Sequence, residues 1–457
     1  MTAQRLDGLI RVLRTHPRLG SADLCARLGG IHRSTLGRAL NTLGDSVISC
    51  GEARRTRYAL RRELRGNATA LPLYRIDERG KGLELGQLSL TYPGGTTLSY
   101  AAPFPWPLDK EMAEGWFAGL PYPIVDMRQQ GFLGRNFARH HALDLGVMTN
   151  PDDWSDEDIA YVLSKTGYDQ PGDLILGDVA YRRFLESRDG VLERFLSSEQ
   201  LPAAYLRLAE EALLQGDAGS SAGGEFPKFT TGRTLDGKLK HVIVKFSGAD
   251  KSSAVRRWSD LLVCEHLASL ALRECLALPA AESAIHSFAG RTFLEVVRFD
   301  RHGDSGRSAV CTLASLNAAL VGTAGAPWPK TARALQMAGW LAEVDVTKVD
   351  LVWAFGKHIG NNDMHEGNLA FRPGLTLAPV YDMLPMMYAP MRGGEIPDKQ
   401  FAPGMPLPAE LSVWTQAAKA GIYFWRTCAE DKRISTGFRR ICGENGKILS
   451  SLLAAQT

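Results

Sequence analysis

The N-terminal part of the chain opens with a helical spacing of apolar side chains. Leucine and isoleucine recur three and four positions apart over residues 6–13, 24–28 and 36–43, which predicts three short helices. Ser21 is expected to cap the second helix, because its hydroxyl can accept a free backbone N–H. Gly44 is expected to end the third helix.

Two strand-like runs follow, over residues 47–50 and 56–60, joined through Gly51. Three helices and a hairpin in this order predict a winged helix-turn-helix over residues 1–65, in which the third helix reads DNA bases and the wing binds phosphate. The residues expected to contact DNA, first on the third helix and then on the wing, are Arg33, Ser34, Thr35, Arg38, Asn41, Arg54, Arg55 and Arg57.

The charge of this segment supports a nucleic-acid partner. Residues 1–65 hold thirteen Arg, no Lys and five acidic residues, a net charge of +8, although the whole chain carries only +3. A strongly basic head on a mildly acidic body is typical of nucleic-acid binding. The alternative is a winged helix that serves dimerisation and whose arginines are merely solvated.

The rest of the chain predicts two further segments. Strand-like alternation over residues 74–108 gives way to mostly helical patterns, and together they define a segment over 66–215. The third segment, 216–457, begins with strands and becomes largely helical. In its strand over 241–246, Lys245 points away from the apolar face. The expected fold class is therefore multidomain α+β.

The third segment also contains the residue types that phosphoryl transfer requires. Asp363, Asn368 five positions on, and Asp382 after a short hairpin have the spacing of a kinase catalytic loop and its metal-binding aspartate. Asp363 suits the orientation of an attacking hydroxyl. Asn368 and Asp382 offer the hard oxygen ligands that Mg²⁺ prefers.

Further candidates precede this motif in the order that a kinase uses. The amides of Gly223 and Gly224 can approach phosphates, since no Cβ stands in the way. Lys245 can neutralise the α and β phosphates of ATP. Glu265 is the first choice for the carboxylate that orients Lys245, and Asp260 is the rival. His365 either contacts phosphate or is a structural histidine.

Taken together, these motifs resemble the HipA family of serine/threonine kinases, which are toxins of bacterial toxin–antitoxin modules. The resemblance covers roughly residues 74–450, and the winged-helix head is similar to the YjjJ-like branch. It makes 66–215 a HipA-like N-terminal subdomain and 216–457 the kinase region, with a strand-rich N-terminal lobe and a helical C-terminal lobe. The matching motifs are Ser221–Gly224, Pro227–Phe229, Val244-Lys245, Val297–Arg301, Gly360–Asn368 and Tyr381-Asp382.

The resemblance implies a role for each matching residue. Asp363 is the implied catalytic base, and Asn368 and Asp382 the implied ligands of Mg²⁺. Ser221, with Ser220 as its neighbour, is the implied autophosphorylation site, where phosphate adds roughly −1.5 to −2 charge and repels ATP. The implied ATP-binding residues are Gly223, Gly224, Lys245, Val297, Arg298, Phe299, His365, Asn368, Tyr381 and Asp382.

Two departures from the family pattern limit what the resemblance implies. Val297 stands where the family often has Glu, so an adenine contact there can only use the backbone. Asp382 is followed by Met383-Leu384 rather than Phe-Gly, so the activation-loop behaviour of ordinary protein kinases is not expected. The head that the chain itself carries also puts in doubt the need for a separate antitoxin protein.

The expected function is thus an ATP- and Mg²⁺-dependent protein kinase of the toxin type, with an unidentified protein substrate, DNA bound by the head, and an antitoxin or a second copy as open partners. Two alternatives stay open: a non-catalytic, nucleotide-sensing DNA-binding transcription regulator, and a small-molecule phosphotransferase. The cysteines are scattered without a C-x-x-C pair and several lie inside apolar runs, so they are expected to be reduced core residues of a cytoplasmic protein. No apolar run approaches eighteen residues, so no membrane partner is expected.

Overall fold

The computed structural model describes residues 3–188, 195–215, 226–323, 325–391 and 393–456. It divides into two compact units. Unit 1 comprises Met1–Asp77, Lys81–Arg128 and Asp152–Ser187. Unit 2 comprises Glu78–Gly80, Gln129–Pro151 and Arg188–Thr457. Both units mix helices and strands, so the α+β class expected from the sequence is confirmed.

The N-terminal elements of unit 1 occur where the apolar spacing predicts them. They are α1 (Ala3–Thr15), β1 (Leu19–Gly20), α2 (Ser21–Arg27), α3 (Arg33–Leu43), β2 (Val47–Cys50) and β3 (Arg57–Arg62). Leu9, Leu13, Leu24 and Leu36 are all at most 2% exposed and form their common core. Three helices around one apolar centre, followed by an antiparallel hairpin, are therefore present.

The caps of these helices differ partly from expectation. Ser21 is the first helical residue rather than the cap, because Gly20 takes the extended N-cap conformation. At the start of α3, the side chain of His32 accepts the backbone N–H of Ser34 at 3.3 Å. Gly44 ends α3 with a φ of +51°, a conformation that glycine adopts without steric penalty.

The remainder of unit 1 continues the same sheet. Strand β3 pairs with β2 through Leu60 and, at its other end, with β5 through Arg62, so the hairpin and the following segment share one sheet. The elements from residue 66 to 187, of which α6 belongs to unit 2, are β4 (Leu71–Ile76), β5 (Gly82–Thr91), β6 (Thr96–Tyr100), α4 (Lys110–Ala113), β7 (Trp116–Phe117), α5 (Tyr122–Val125), α6 (Gly131–Leu145), α7 (Asp156–Thr166), β8 (Leu174–Leu176) and α8 (Asp178–Glu186).

Unit 2 begins with a sheet and ends in helices. Its elements after residue 188 are β9 (Phe195–Leu196), α9 (Leu201–Gln215), β10 (Lys228–Leu235), β11 (Lys238–Phe246), α10 (Ser253–Leu276), β12 (Ser283–Phe288), β13 (Arg291–Val297), β14 (Arg301–His302), β15 (Gly306–Arg307), β16 (Cys311–Thr312), α11 (Leu313–Leu320), α12 (Trp328–Met337), α13 (Glu343–His358), β17 (Ala370–Arg372), β18 (Thr376–Leu377), α14 (Leu411–Glu430) and α15 (Thr436–Ala454).

The main sheet of unit 2 has the strand order β12-β13-β11-β10-β9. Its strands are antiparallel, except that β9 runs parallel to β10. Val242, Val244 and Phe246 are completely buried on one face of β11, as the period-two pattern requires. They pack with Phe293 and Tyr205 into an aromatic-rich core, and Lys245 lies on the opposite face of β11.

The cysteines and the helices test two further expectations. All seven cysteines are free thiols, and four of them are buried. Cys275, near the end of α10, is exposed, so the expectation that the cysteines are core residues is wrong for that residue. Within the described ranges, no helix combines the length and the apolar character that a membrane span requires.

Candidate active site

Lys245 lies on the central strand of the main sheet of unit 2, on the face opposite Val244 and Phe246. Strand β11 pairs with β10 and β13, which place Lys228 and Leu294 opposite Lys245. The residue is only 6% exposed. A lysine this deeply buried needs paired carboxylates, because an unpaired buried charge is strongly unfavourable.

Two carboxylates surround the ammonium group. Lys245 Nζ lies 2.7 Å and 2.8 Å from the two Oε atoms of Glu265, which α10 carries to this point. It also donates to Asp382 Oδ1. The rival Asp260 is engaged elsewhere, since its carboxylate accepts the N–H and the hydroxyl of Ser435. Of the two candidates, Glu265 is therefore the one that contacts Lys245.

The three charges shift one another's pKa. Burial alone lowers the pKa of Lys245, but the charges of Asp382 and Glu265 outweigh burial and raise it above its usual value. Burial raises the pKa of Glu265 to about 7, against the opposing charge of Lys245. Burial also disfavours ionised Asp382, yet Lys245 lowers the pKa of Asp382 to about 2. Near neutral pH, the cluster therefore holds one fixed cation, one fixed anion and one carboxyl group close to its titration point.

The loop that carries Asp363 follows directly after α13. Asp363 itself is exposed, and its backbone N–H donates to Asn361 Oδ1 at 3.0 Å. Asn368 is buried, and its Nδ2 donates to the carbonyl of Asp363 at 2.9 Å. The side chains of two asparagines thus hold the backbone of Asp363 from both directions along the loop.

Asn361 also connects this loop to Asp382. The residue is 3% exposed, and its Nδ2 donates to the carbonyl of Asp382 at 3.4 Å. Asp382 has a φ of +55°, in the left-handed region that residues with a Cβ seldom occupy. One buried amide therefore links the candidate catalytic aspartate to the candidate metal ligand.

A second anchor fixes the middle of the loop. The carboxylate of Glu366 accepts hydrogen bonds from Asn317 on α11, at 2.7 Å and 2.9 Å, and from the hydroxyl of Thr331 on α12, at 2.8 Å. His365 is exposed, and its Nδ1 accepts the N–H of Gly367 at 3.2 Å. This bond uses one ring nitrogen within the loop, and the role of His365 toward phosphate stays a prediction.

The predicted adenine-binding segment lies at the end of β13. The backbone N–H of Val297 donates to Glu282 and that of Arg298 donates to His241. The ring centroid of Phe299 lies 6.0 Å from that of Tyr381, whose hydroxyl donates to Gly367 at 2.8 Å. Phe299 and the catalytic loop are thus connected through Tyr381.

Four of the predicted site residues cannot be placed. Ser220, Ser221, Gly223 and Gly224 lie outside the described residues. Their roles as an autophosphorylation site and a phosphate-binding loop stay predictions. The first described positions after them are Phe226, whose ring stacks edge-on against Trp258, and Pro227, whose carbonyl accepts the N–H of Phe246.

The predicted DNA-binding residues lie in unit 1 on two separate elements. Arg33, Ser34, Arg38 and Asn41 are exposed on α3, and Thr35 is half-buried there. Arg54, Arg55 and Arg57 are exposed on the hairpin formed by β2 and β3.

Sequence reasoning missed two residues of the candidate site. Asn361 belongs to the motif Gly360–Asn368 but was given no function, and Glu366 was given no individual role. The available signal was position, since both polar residues stand inside a candidate catalytic loop. Their partners lie on other elements of the fold, which spacing along the chain does not reveal.

A comparison with curated proteins decides the family. The chain is 36% identical over 404 residues to Toxin YjjJ of Escherichia coli (strain K12), and the match covers 88% of this chain and 88% of that protein. The chain belongs to the YjjJ-like toxin family. Residues 67–185 match the family model of the YjjJ-like toxin middle domain, and residues 220–442 match the HipA-like C-terminal domain. The resemblance to HipA and to its YjjJ-like branch is thereby confirmed.

Two solved structures are similar to this YjjJ-like protein in part. One is a chain of the Shewanella oneidensis MR-1 toxin–antitoxin complex of HipA, HipB and operator DNA, with 15% identity, a TM-score of 0.46, and 84% of this chain and 96% of that chain covered. The other is the Helicobacter pylori proinflammatory kinase CtkA, with 10% identity, a TM-score of 0.31, and 50% and 89% covered. Family membership rests on the sequence match.

Proposed function

We propose that this protein is an ATP- and Mg²⁺-dependent serine/threonine protein kinase that acts as a toxin. The supporting observation is the group of contacts around Lys245, in which Glu265 orients the lysine and Asp382 lies beside it. Asn361 then links Asp382 to the loop that presents Asp363. A strand lysine, a helix glutamate, a loop aspartate and a second aspartate form the set that phosphoryl transfer uses.

The residues present fit a magnesium ion. Asn368 uses its Nδ2 on the carbonyl of Asp363, which leaves its amide oxygen as a hard ligand. Asp382 supplies a carboxylate that stays ionised, since its pKa is lowered to about 2. The described residues contain no group of three or more His, Cys, Asp or Glu that could hold a metal, and Mg²⁺ bound with nucleotide phosphates needs only one or two protein carboxylates.

The protein residues have separate tasks in this reaction. Asp363 accepts the proton of the attacking hydroxyl on the protein substrate, and its exposure leaves it accessible to such a substrate. Lys245 holds the nucleotide phosphates, with His365 as a further phosphate contact. Val297, Arg298 and Phe299, together with Tyr381, hold the adenosine part. Asn368 and Asp382 would hold Mg²⁺, which would neutralise the charge that develops on the phosphates.

The proposal also includes a regulatory site in the kinase segment. Ser221 or Ser220 is the proposed autophosphorylation site, beside the loop of Gly223 and Gly224.

The three proposed segments of the chain are 1–65, 66–215 and 216–457. The first is a winged helix-turn-helix that binds DNA through α3, and its exposed arginines and asparagine supply the chemistry for phosphate and base contacts.

The proposal is tested by incubating the purified full-length chain with labelled MgATP and mapping the phosphorylated residues. Asp363→Asn keeps the size of the side chain and removes the base, so labelling is expected to fall by about 10²-fold or more. Ser221→Ala and Ser220→Ala identify the acceptor. ATP binding without any labelling of the wild type would instead support a nucleotide-sensing, DNA-binding regulator. Rapid phosphorylation of a small amine or alcohol, with none on protein, would support a small-molecule phosphotransferase.

A further inference from the structure

The arginines of the N-terminal head differ in what they contact. Five of the thirteen lie within ion-pair distance of acidic residues in the segment that follows the head. These pairs are Arg18–Glu111 at 2.6 Å, Arg55–Glu114 at 3.3 Å, Arg57–Glu111 at 3.4 Å, Arg62–Glu157 at 2.6 Å and Arg65–Asp158 at 2.6 Å. A large part of the excess positive charge is therefore matched within unit 1 itself.

Three of these pairs form one group, which we call the wing ion-pair cluster: Arg18, Arg55, Arg57, Glu111 and Glu114. Glu111 contacts both Arg18 and Arg57. Glu114 lies beside Arg55, and its side chain is only 14% exposed. Two of the three arginines predicted to bind DNA through the wing therefore already face carboxylates.

The backbone around the cluster shows that the hairpin lies close against residues 111–116. A Cβ on Gly115 would come within 3.6 Å of Cys50 Sγ in β2. The guanidinium of Arg18 lies 5.8 Å from the centre of the Trp116 ring. Burial raises the pKa of the Cys50 thiol to about 11, as expected for a hairpin that is covered on this side.

The arginines of α1 and α3 have a different environment. Arg5, Arg33 and Arg38 are exposed, and no ion pair involves them among the residues that the structure describes. Arg5 and Arg38 line one surface recess together with Asn41, Thr35 and Thr42. Arg54, at the tip of the hairpin, is likewise exposed and without an ion pair in the described part of the chain.

We propose that Arg18, Arg55 and Arg57 dock the hairpin onto the following segment, and that DNA phosphates are bound by the α1–α3 face and Arg54. This inference rests on the proposed DNA-binding function and specifies its surface. A phosphate brought to Arg57 would also approach Glu111, whose side chain is 51% exposed, and the like charges would repel each other. Neighbouring arginines of one hairpin therefore serve different partners.

The test measures how salt weakens the binding of the full-length chain to a fluorescently labelled, mixed-sequence DNA duplex. Loss of one phosphate contact reduces the slope of log K against log salt concentration by about 0.9. Arg38→Ala and Arg54→Ala are expected to reduce the slope by about this amount. Arg55→Ala and Arg57→Ala are expected to leave it unchanged, as is the matched control Arg207→Ala on α9, which removes an exposed arginine paired with Glu211.

A second measurement follows the docking contact directly. Arg57→Ala and Glu111→Gln are expected to speed hydrogen exchange of the amides in β2 and β3, whereas Arg54→Ala is not. A reduced slope for Arg57→Ala equal to that of Arg38→Ala, with unchanged exchange, would overturn the inference. If the wild type shows no salt-dependent binding, the DNA-binding function itself fails, and the exchange experiment still decides whether the hairpin is docked by these ion pairs.

Discussion

Unit 2 contains ion pairs that are far more deeply buried than the wing ion-pair cluster of unit 1. In unit 2, Arg233 and Glu295 are each 2% exposed and lie 2.8 Å apart, and Lys245 and Glu265 are nearly as deeply buried. In unit 1, the side chains of Arg55 and Arg57 are 60% and 44% exposed. Removing one partner of a buried pair leaves an unsolvated charge, whereas exposed partners are rehydrated at little cost. The effect of removing an ion pair on the free energy of unfolding therefore depends on how deeply the pair is buried.

The largest effect on stability is expected for Arg233→Ala. Glu295 accepts hydrogen bonds from Arg233 and from Tyr205 inside the sheet of unit 2. Loss of the arginine leaves this carboxylate buried without its cation, which is expected to destabilise unit 2 by about 3–5 kcal/mol. Thermal unfolding of the purified variant measures the effect.

The exposed pair Arg207–Glu211 on α9 provides the control for this change. Its side chains are 62% and 45% exposed, so Arg207→Ala is expected to leave the melting temperature close to that of the wild type. Similar melting temperatures for the Arg233 and Arg207 variants would show that burial does not set the cost of removing these pairs.

The second prediction concerns catalysis rather than stability. Asn361→Ala removes the amide that joins the backbone of Asp363 to that of Asp382. We expect kcat to fall by about 10–100-fold, equivalent to about 1.4–2.7 kcal/mol, with little change in KM for ATP. A lower kcat with an unchanged KM is expected for a positioning residue, because the variant still binds the nucleotide but no longer aligns it with the catalytic base.

The adjacent Asn362 is the matched control, because it is an exposed asparagine in the same loop. Asn362→Ala is expected to keep wild-type kcat and KM. A large rise in KM for Asn361→Ala, or an equal loss of kcat in both variants, would contradict the positioning role.

The sequence predicts the features of this site that depend on residues close together in the chain, and it does not predict contacts between residues far apart in the chain. The alternation along β11 places Lys245 opposite the apolar core, and the loop spacing singles out Asp363, because both patterns are local. The sequence already favours Glu265 over Asp260, but the contact of Glu265 with Lys245 depends on the path of α10 past the sheet. Asn361 and Glu366 acquire their importance from Asp382, Asn317 and Thr331, which only the tertiary fold brings near.

The same distinction holds in unit 1. The three helices and the hairpin of the head are visible in the sequence, since the leucine spacing is complete within about 60 residues. The partners of its arginines are not visible, because Glu111 lies 93 positions from Arg18 and 54 from Arg57. The sequence shows an excess of positive charge, and the fold shows that part of this charge is paired with carboxylates of unit 1.

The third prediction uses the raised pKa of Glu265. Its folded-state pKa of about 7 exceeds its ordinary value of 4.5, so protonation favours the folded state. This contribution to the free energy of unfolding is fully present below pH 4.5 and is lost as the pH rises through about 7. The effect is expected to be smaller than that of Arg233→Ala, because Lys245 still compensates the ionised carboxylate above pH 7.

Glu265→Gln removes this titration while keeping the size of the side chain. Between pH 4.5 and 7, the melting temperature of the wild type, measured relative to the variant, is therefore expected to fall as the pH rises. The difference between the two proteins cancels titrations that they share, including that of the buried His358, whose pKa burial lowers to about 4. A constant difference across this range would exclude Glu265 as the titrating group.

The smallest effect on stability is expected for Glu157→Gln in unit 1. This variant tests whether the cost of losing an ion pair depends on its burial rather than on the distance between its charges. Arg62 and Glu157 are as close as any pair in the wing ion-pair cluster, at 2.6 Å, but their side chains are 22% and 30% exposed. We expect a loss of at most about 1 kcal/mol in low salt, and less in high salt, because water and ions screen the pair. Thermal unfolding at two salt concentrations measures both quantities. A cost as large as that of Arg233→Ala, unaffected by salt, would mean that the pairs of unit 1 behave as buried ones and that the contrast between the two units is wrong.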